Sequence, residues 1–282
     1  MITTQTKKFA VIGDPIAHSA SPKMHNSVFN TINIDGIYLA MHITPSQLKS
    51  TLPALKTLGF QGINVTIPHK ETILNYCDTI DDLAQTIGAI NTVVLKNNQW
   101  HGYNTDAPGF IYAIETQNNF SLNHKTITII GAGGTAKALS IACLNSSITS
   151  LNIINRTLTK ANTLKDKLST LTTTPIATAQ INSATALTML KQSNLVINTT
   201  PIGMHPNTTD CPLADMTWVT PKHFCFDVIY TPATTSFLNQ AKHHQAKTAN
   251  GLSMLAAQAM YAFKHFTNQT VDFNHFYSAI TT

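Results

Sequence analysis

The run Gly131-Ala132-Gly133-Gly134-Thr135-Ala136 follows the apolar stretch Thr126 to Ile130 and precedes a segment of helical pattern; no other feature restricts the fold as strongly. A G-x-G-x-x-A turn between strand and helix meets three steric demands. Its first glycine makes a tight turn, its second lets the backbone approach a pyrophosphate, and its final small residue lets the helix pack closely. The phosphates then lie at the positive helix N-terminus. Apolar runs also occur at 9–12, 38–43, 62–67, 151–154, 195–198 and 225–229, alternating with helical patterns. That rhythm predicts an α/β fold of mostly parallel sheets covered by helices.

A chain of 282 residues exceeds one ordinary core, and at about 150 residues per domain two are expected, with a ligand cleft between them. Asn91 to Leu95 and Gln99 to Tyr103 flank Lys96-Asn97-Asn98 and read as a hairpin, followed by a helix starting near Asp106. The domain change is placed there. Leu252, Leu255, Ala259 and Phe263 recur at helical spacing, an apolar face expected to return to the first domain. The expected division is 1–105 with 252–282 as one α/β domain, and 106–251 as a Rossmann-like domain. The Thr-rich stretch Ser169 to Thr174 reads as a loop.

Composition narrows the function classes. Hydrophobic residues make up 43% of the chain, yet no apolar run approaches the roughly 20 residues that span a bilayer. The polar start, Met1 to Lys8, and the short run after it do not form a signal peptide, so a soluble cytoplasmic protein is expected. The net charge of +5 comes from scattered Lys and Arg, which argues against a nucleic-acid partner. Cys77, Cys143, Cys211 and Cys225 form no C-x-x-C pair, and His243-His244 sits in a polar stretch without a metal-binding helix motif. Neither a disulfide framework nor a metal is expected.

The end of the strand after the glycine turn reads Asn155-Arg156-Thr157, where an NAD enzyme commonly carries an acid. A guanidinium there suits a 2′-phosphate and can stack on adenine, with Lys160 adding charge one turn later. The cofactor is expected to be NADP. In the first half, Ser19 and Ser21 flank a turn before a helix that Pro22 can start, a place suited to a carboxylate. Thr66 and Lys70 follow the strand Gly62 to Ile67, at the edge where open α/β sheets bind ligands. Asn91 and Asp106 add an amide and a carboxylate.

These motifs, in this order, resemble the shikimate dehydrogenase family along nearly the whole chain. The likeness spans Gly13 through His25-Asn26, Asn64 to Lys70, Gly88 to Thr92, Asn104-Thr105-Asp106, the glycine turn, Asn155-Arg156-Thr157, Asn198 to Met204, Asp227 to Thr235 and Asn250 to Ala259. The resemblance implies that Ser19, Ser21 and Tyr230 hold a substrate carboxylate, and that Thr66, Asn91, Asp106 and Gln258 bind ring hydroxyls. It makes Lys70 and Asp106 the catalytic pair. It assigns Thr199, Thr200, Pro201, Met204, Ile229, Gly251 and Met254 to the nicotinamide side, with Met254 also readable as core. The implied reaction is reversible NADPH-dependent reduction of 3-dehydroshikimate to shikimate, on the route to chorismate and the aromatic amino acids, by a monomer or homodimer. Thr135, Lys137, Lys160 and Thr200 depart from the family's commoner Ala, Arg, Arg and Ser. The alternatives are a broader quinate/shikimate enzyme using NAD or NADP, and a catalytically silent NADP-binding regulator.

Ketone reduction leaves an alkoxide that must gain a proton as hydride arrives. Lys70 is expected to supply it, while Asp106 orients the ammonium and bonds a neighbouring hydroxyl. The competing reading, a surface ion pair worth at most about 1 kcal/mol, does not require Lys70 at a strand edge.

Overall fold

β1 (Lys7–Gly13) is polar only at its start, and its last five residues are all buried. A strand covered on both faces belongs inside a sheet. β1 pairs in parallel with β2 (Gly36–His42) on one side and β3 (Phe60–Val65) on the other. β4 (Thr79–Ile80), β5 (Thr92–Lys96) and β6 (Gln99–Tyr103) complete this sheet in the order β2-β1-β3-β5-β6-β4. The β5–β6 hairpin turns through Asn97 and Asn98, with φ of 49° and 61°, a conformation asparagine tolerates in two-residue turns. Such a turn joins only antiparallel strands. This sheet is therefore mixed: β5 is antiparallel to both β3 and β6, as the hairpin read from the sequence requires, and the other pairs are parallel. The structure, a computed structural model, describes residues 2–281.

Helices α1 (Ser21–Thr31), α2 (Leu48–Thr57) and α3 (Asp82–Ile87) belong to the same unit. That unit runs to Gly109 and resumes at Leu255; the other is Phe110–Met254. α4 (Asp106–Ile111) follows β6 and continues as a π-helical turn, Tyr112–Gln117.

The second unit holds β7 (Thr126–Ile130), β8 (Ser150–Asn155), β9 (Ile176–Gln180), β10 (Leu195–Asn198), β11 (Phe224–Asp227) and β12 (Lys247–Ala249), ordered β12-β11-β10-β7-β8-β9. Every pair is parallel. The order reverses between β7 and β10, the switch point outside which doubly wound sheets bind ligands. Its helices are α5 (Gly134–Leu144), α6 (Leu158–Ser169), α7 (Ala184–Gln192) and α8 (Ser236–His243). α5 is buried nearly all round, from Ala136 through Cys143, as a helix covered by its own sheet should be.

The chain ends in α9 (Leu252–Thr267) and α10 (Phe273–Thr281). Phe263 of α9 packs on Phe29 of α1 at 5.1 Å and on Phe276 of α10 at 5.5 Å. Ala259 and Phe263 are buried as their spacing predicts, but Leu252 and Leu255 are only half-buried. The packed face instead runs through Ala256, Ala259, Phe263 and Phe266, because small residues let the helix backbone come close while the leucines flank the contact. Among the described residues, no helix is long and apolar enough to cross a membrane.

Candidate active site

Because β5 runs against its neighbours, the carboxyl ends of β1, β3 and β6 share an edge with the amino end of β5. The segments after Gly13, after Val65, before Thr92 and after Tyr103 therefore meet there. Most of the first unit's sequence-predicted residues lie on these segments.

Lys70 Nζ lies 2.5 Å from Asp106 Oδ2, with the two side chains 15% and 7% exposed. Asp106 opens α4, where unpaired helix N–H groups favour a carboxylate. Asn104 Oδ1 accepts from the amides of Asp106 (3.0 Å) and Ala107 (3.3 Å), capping that start. Asn91 Nδ2 donates to Asp106 Oδ1 at 2.9 Å. One carboxylate oxygen thus takes the ammonium and the other an amide. Gln258 of α9 brings Oε1 to 3.5 Å from Asn91 Nδ2, and its own Nε2 donates to Leu255 O at 2.8 Å. A Cβ on Gly109 would fall 2.8 Å from Gln258 Cβ, so a bare glycine is what lets α4 and α9 approach this closely. Lys70, Asp106, Asn91 and Gln258 are brought together directly.

Ser19, Ser21 and Thr66 lie on the same edge, and among the described residues no hydrogen bond joins them to that quartet. Ser19 Oγ accepts from Ser21 N at 3.3 Å as α1 begins, and Thr66 N donates to Ile12 O at 3.0 Å. His69, beside Lys70, is anchored by its Nε2 at 2.6 Å from Ile43 O. Tyr230 lies in the other unit, half-buried after β11.

In the second unit, Gly131 has φ +118°, and a Cβ there would lie 2.3 Å from Thr199 Oγ1; the first position of the turn admits only glycine. A Cβ on Gly133, by contrast, would meet nothing within 4 Å. Gly133 is exposed at the N-cap of α5, whose first-turn N–H groups have no partner within the helix. Ala132, Gly134 and Thr135 are half-buried and Ala136 is fully buried. The open space, the free amides and the exposed Arg156, Thr157 and Lys160 after β8 fit a dinucleotide carrying an extra phosphate. Asn155 spends its side chain on Thr157 O, at 2.8 Å.

The loop after β10 is bonded internally: Thr199 Oγ1 donates to Ile130 O at 2.7 Å, and Thr200 Oγ1 to Asn198 Oδ1 at 2.7 Å. Pro201 and Met204 are exposed, while Ile229 and Met254 are buried. A Cβ on Gly251 would lie 2.0 Å from Val228 O, so backbone crossing alone demands that glycine.

Sequence reasoning placed Asn64, Thr92 and Thr105 within motifs but gave them, like Asp227, no role of their own; the first three bond around Asn91. Asp227 is fully buried and accepts from Thr235 Oγ1 (2.7 Å), Ile229 N (3.0 Å) and Asn198 Nδ2 (3.1 Å). Burial pushes its carboxyl up to about 6 against those three bonds. The available signals were an Asp at a strand's carboxyl end with a Thr eight residues on, and the place of both in the stretch Asp227 to Thr235 that carries the family likeness.

Two family models match the chain: a shikimate dehydrogenase substrate binding domain over residues 11–93, and shikimate / quinate 5-dehydrogenase over 114–204. A shikimate dehydrogenase (NADP(+)) of Caldanaerobacter subterraneus subsp. tengcongensis is 38% identical over 279 residues, covering 99% of this chain and 98% of that one. A crystal structure of shikimate dehydrogenase in complex with NADP+ superposes with a TM-score of 0.91 at 35% identity, covering 100% and 96% of the two chains. The shikimate 5-dehydrogenase of Thermus thermophilus, in complex with NADP(H) and shikimate, has a TM-score of 0.87 at 30% identity and 98% coverage of both.

Proposed function

The chain belongs to the shikimate dehydrogenase family, and from that premise we propose that Lys70 and Asp106 carry out the proton transfer in a reversible, NADPH-dependent reduction of 3-dehydroshikimate to shikimate. The protein is an oxidoreductase acting on a CH–OH group, and its product lies on the route to chorismate and the aromatic amino acids. When bound, the nicotinamide supplies or accepts the hydride.

The carrying observation is the part-buried ion pair whose carboxylate is held at both oxygens. In reduction, the carbonyl carbon gains hydride and its oxygen needs a proton; Lys70 Nζ gives it, and in oxidation takes it back. Asp106 keeps the ammonium aimed and accepts from a neighbouring ring hydroxyl. Asn91 and Gln258 offer amides to further hydroxyls, as does the Thr66 hydroxyl at the same edge. Ser19 and Ser21, at the start of α1, suit the substrate carboxylate through their hydroxyls. In the second unit, the amides that begin α5 hold the pyrophosphate, and Arg156 with Lys160 holds the 2′-phosphate.

Absorbance at 340 nm, a wavelength at which reduced nicotinamide absorbs, tests this with shikimate or quinate and NADP or NAD. Rapid growth with shikimate and NADP, and much less in the other arms, is expected. Comparable rates with quinate or NAD would instead mark a broader enzyme. No turnover despite NADPH binding would mark a silent regulator.

A further inference from the structure

The hydrogen bonds beneath Asn91 run in one direction. Tyr38, on β2, is buried at 1% exposure, and its ring lies flat on the His25 imidazole at 4.3 Å and 6°. That stack fixes where the phenol points: its hydroxyl donates to Asn64 Oδ1 at 2.7 Å. An amide whose oxygen is claimed in this way must present its nitrogen to the other side. Asn64 Nδ2 accordingly gives its two protons to Asn91 O (3.1 Å) and Thr92 Oγ1 (3.0 Å). The Thr92 hydroxyl, already accepting, directs its single proton to Asn91 Oδ1 at 3.1 Å. Asn91 Oδ1 also takes the Thr105 amide at 2.8 Å, so its Nδ2 is left facing Asp106 Oδ1. Were this amide reversed, oxygen would oppose carboxylate oxygen.

We propose that Asn64, oriented by Tyr38 and acting through the Thr92 hydroxyl, is a positioning residue that holds Asn91 amide-first toward Asp106 and so aligns the Lys70–Asp106 pair. Neither Asn64, Tyr38 nor Thr92 touches the reacting atoms. All three are buried, Tyr38 on the edge strand β2 and Asn64 and Thr92 as register partners on the inner strands β3 and β5. A polar chain in that place costs stability unless every member is bonded, and an apolar trio would pack there without that requirement. This inference rests on Lys70 and Asp106 being the reacting pair.

Thr92→Val and Thr92→Ser separate positioning from packing. Valine keeps the β-branched shape but has no proton to give, whereas serine keeps the hydroxyl and loses a methyl. Positioning predicts that Thr92→Val lowers kcat roughly tenfold, the scale of one directed hydrogen bond, with KM for NADP unchanged, and that Thr92→Ser recovers most of the rate. Packing predicts the reverse ranking. Tyr38→Phe, which removes only the hydroxyl that orients Asn64, is expected to lower kcat severalfold with KM for NADP again unchanged, and it decides the matter if Thr92→Val fails to fold. Wild-type kcat in both Thr92→Val and Tyr38→Phe, or Thr92→Ser as slow as Thr92→Val, overturns the proposal. Lys70→Ala assayed alongside distinguishes the two failures: turnover retained there removes the parent reading and this one with it, while turnover lost there with an unaffected Thr92→Val removes this one alone.

Discussion

The two units arrange their polar groups in opposite ways. In the first, the groups that do the chemistry are already bonded to one another: Lys70 to Asp106, Asp106 to Asn91, Asn91 to its buried neighbours. In the second, the glycine turn faces open space at Gly133, and Arg156 and Lys160 stand exposed. The difference separates rate from affinity. Groups preorganised before ligand arrives act on the transition state, whereas free amides and exposed cations gain their partners only on binding. Changes in the first unit should therefore appear in kcat, and changes around the turn in the KM for NADP.

The buried titratable groups differ as sharply. His25 is fully buried among Tyr38, Phe263, Phe266 and Phe276, neither ring nitrogen has a hydrogen-bond partner among the described residues, and burial lowers its pKa to about 3. In the unfolded chain it titrates at the ordinary histidine value of 6.5. Between these values only the unfolded state takes the proton, so the first unit loses stability as pH falls below 6.5. The loss sums to about 5 kcal/mol by pH 3. Asp227 has the opposite sign. Its folded pKa is raised from 3.8 to about 6, so its contribution is present below pH 3.8 and disappears as pH rises through about 6, on the order of 3 kcal/mol. Hydrogen exchange read separately on β1–α1 and β10–β11 peptides, corrected for intrinsic rates, should show protection lost in the former and kept in the latter between pH 6.5 and 4.5. His25→Phe should abolish most of the loss in β1–α1. An unchanged acid response in that variant would remove His25 as its cause.

Filling the open space at the turn is the next largest test. Gly133→Val adds a side chain that meets nothing within the protein but occupies the path of a pyrophosphate. It should raise the KM for NADP roughly a hundredfold, about 3 kcal/mol, with the melting temperature little changed. A wild-type KM would place the phosphates elsewhere. Arg156→Ala should have a smaller effect, because an exposed charge-assisted contact is worth about 1.5 kcal/mol. The ratio of kcat/KM for NADP over NAD should fall roughly tenfold, and an unchanged ratio would leave the 2′-phosphate without its proposed partner.

Much of this contrast is legible in the sequence. The strands β7 and β10 coincide with their apolar runs, and the glycine turn falls between β7 and α5 as its spacing requires. The short edge strands β4 and β12, of two and three residues, and β9, with one buried position, carry too little apolar signal to be read. Lys70, Asp106 and Asn91 announce themselves as polar residues at strand ends. Asn64 and Thr92 do not, because inside apolar strands their letters resemble ordinary strand polarity. Only the antiparallel register that sets Asn64 opposite Thr92 shows what they bond, and that register joins two strands distant in sequence. His25 was legible as part of a motif but not as a neutral, stacked core ring, since that property belongs to the aromatic side chains of α9 and α10 around it.

The most direct test of the central claim is single-turnover oxidation of shikimate by Lys70→Ala with NADP saturating, alongside an NADPH fluorescence titration of the same variant. The expected result is a rate lower by a factor of about 10² to 10⁴, the range supplied by a positioned acid or base, with NADPH affinity unchanged. A near wild-type rate would contradict the account, and so would a loss of NADPH affinity large enough to explain the fall in rate.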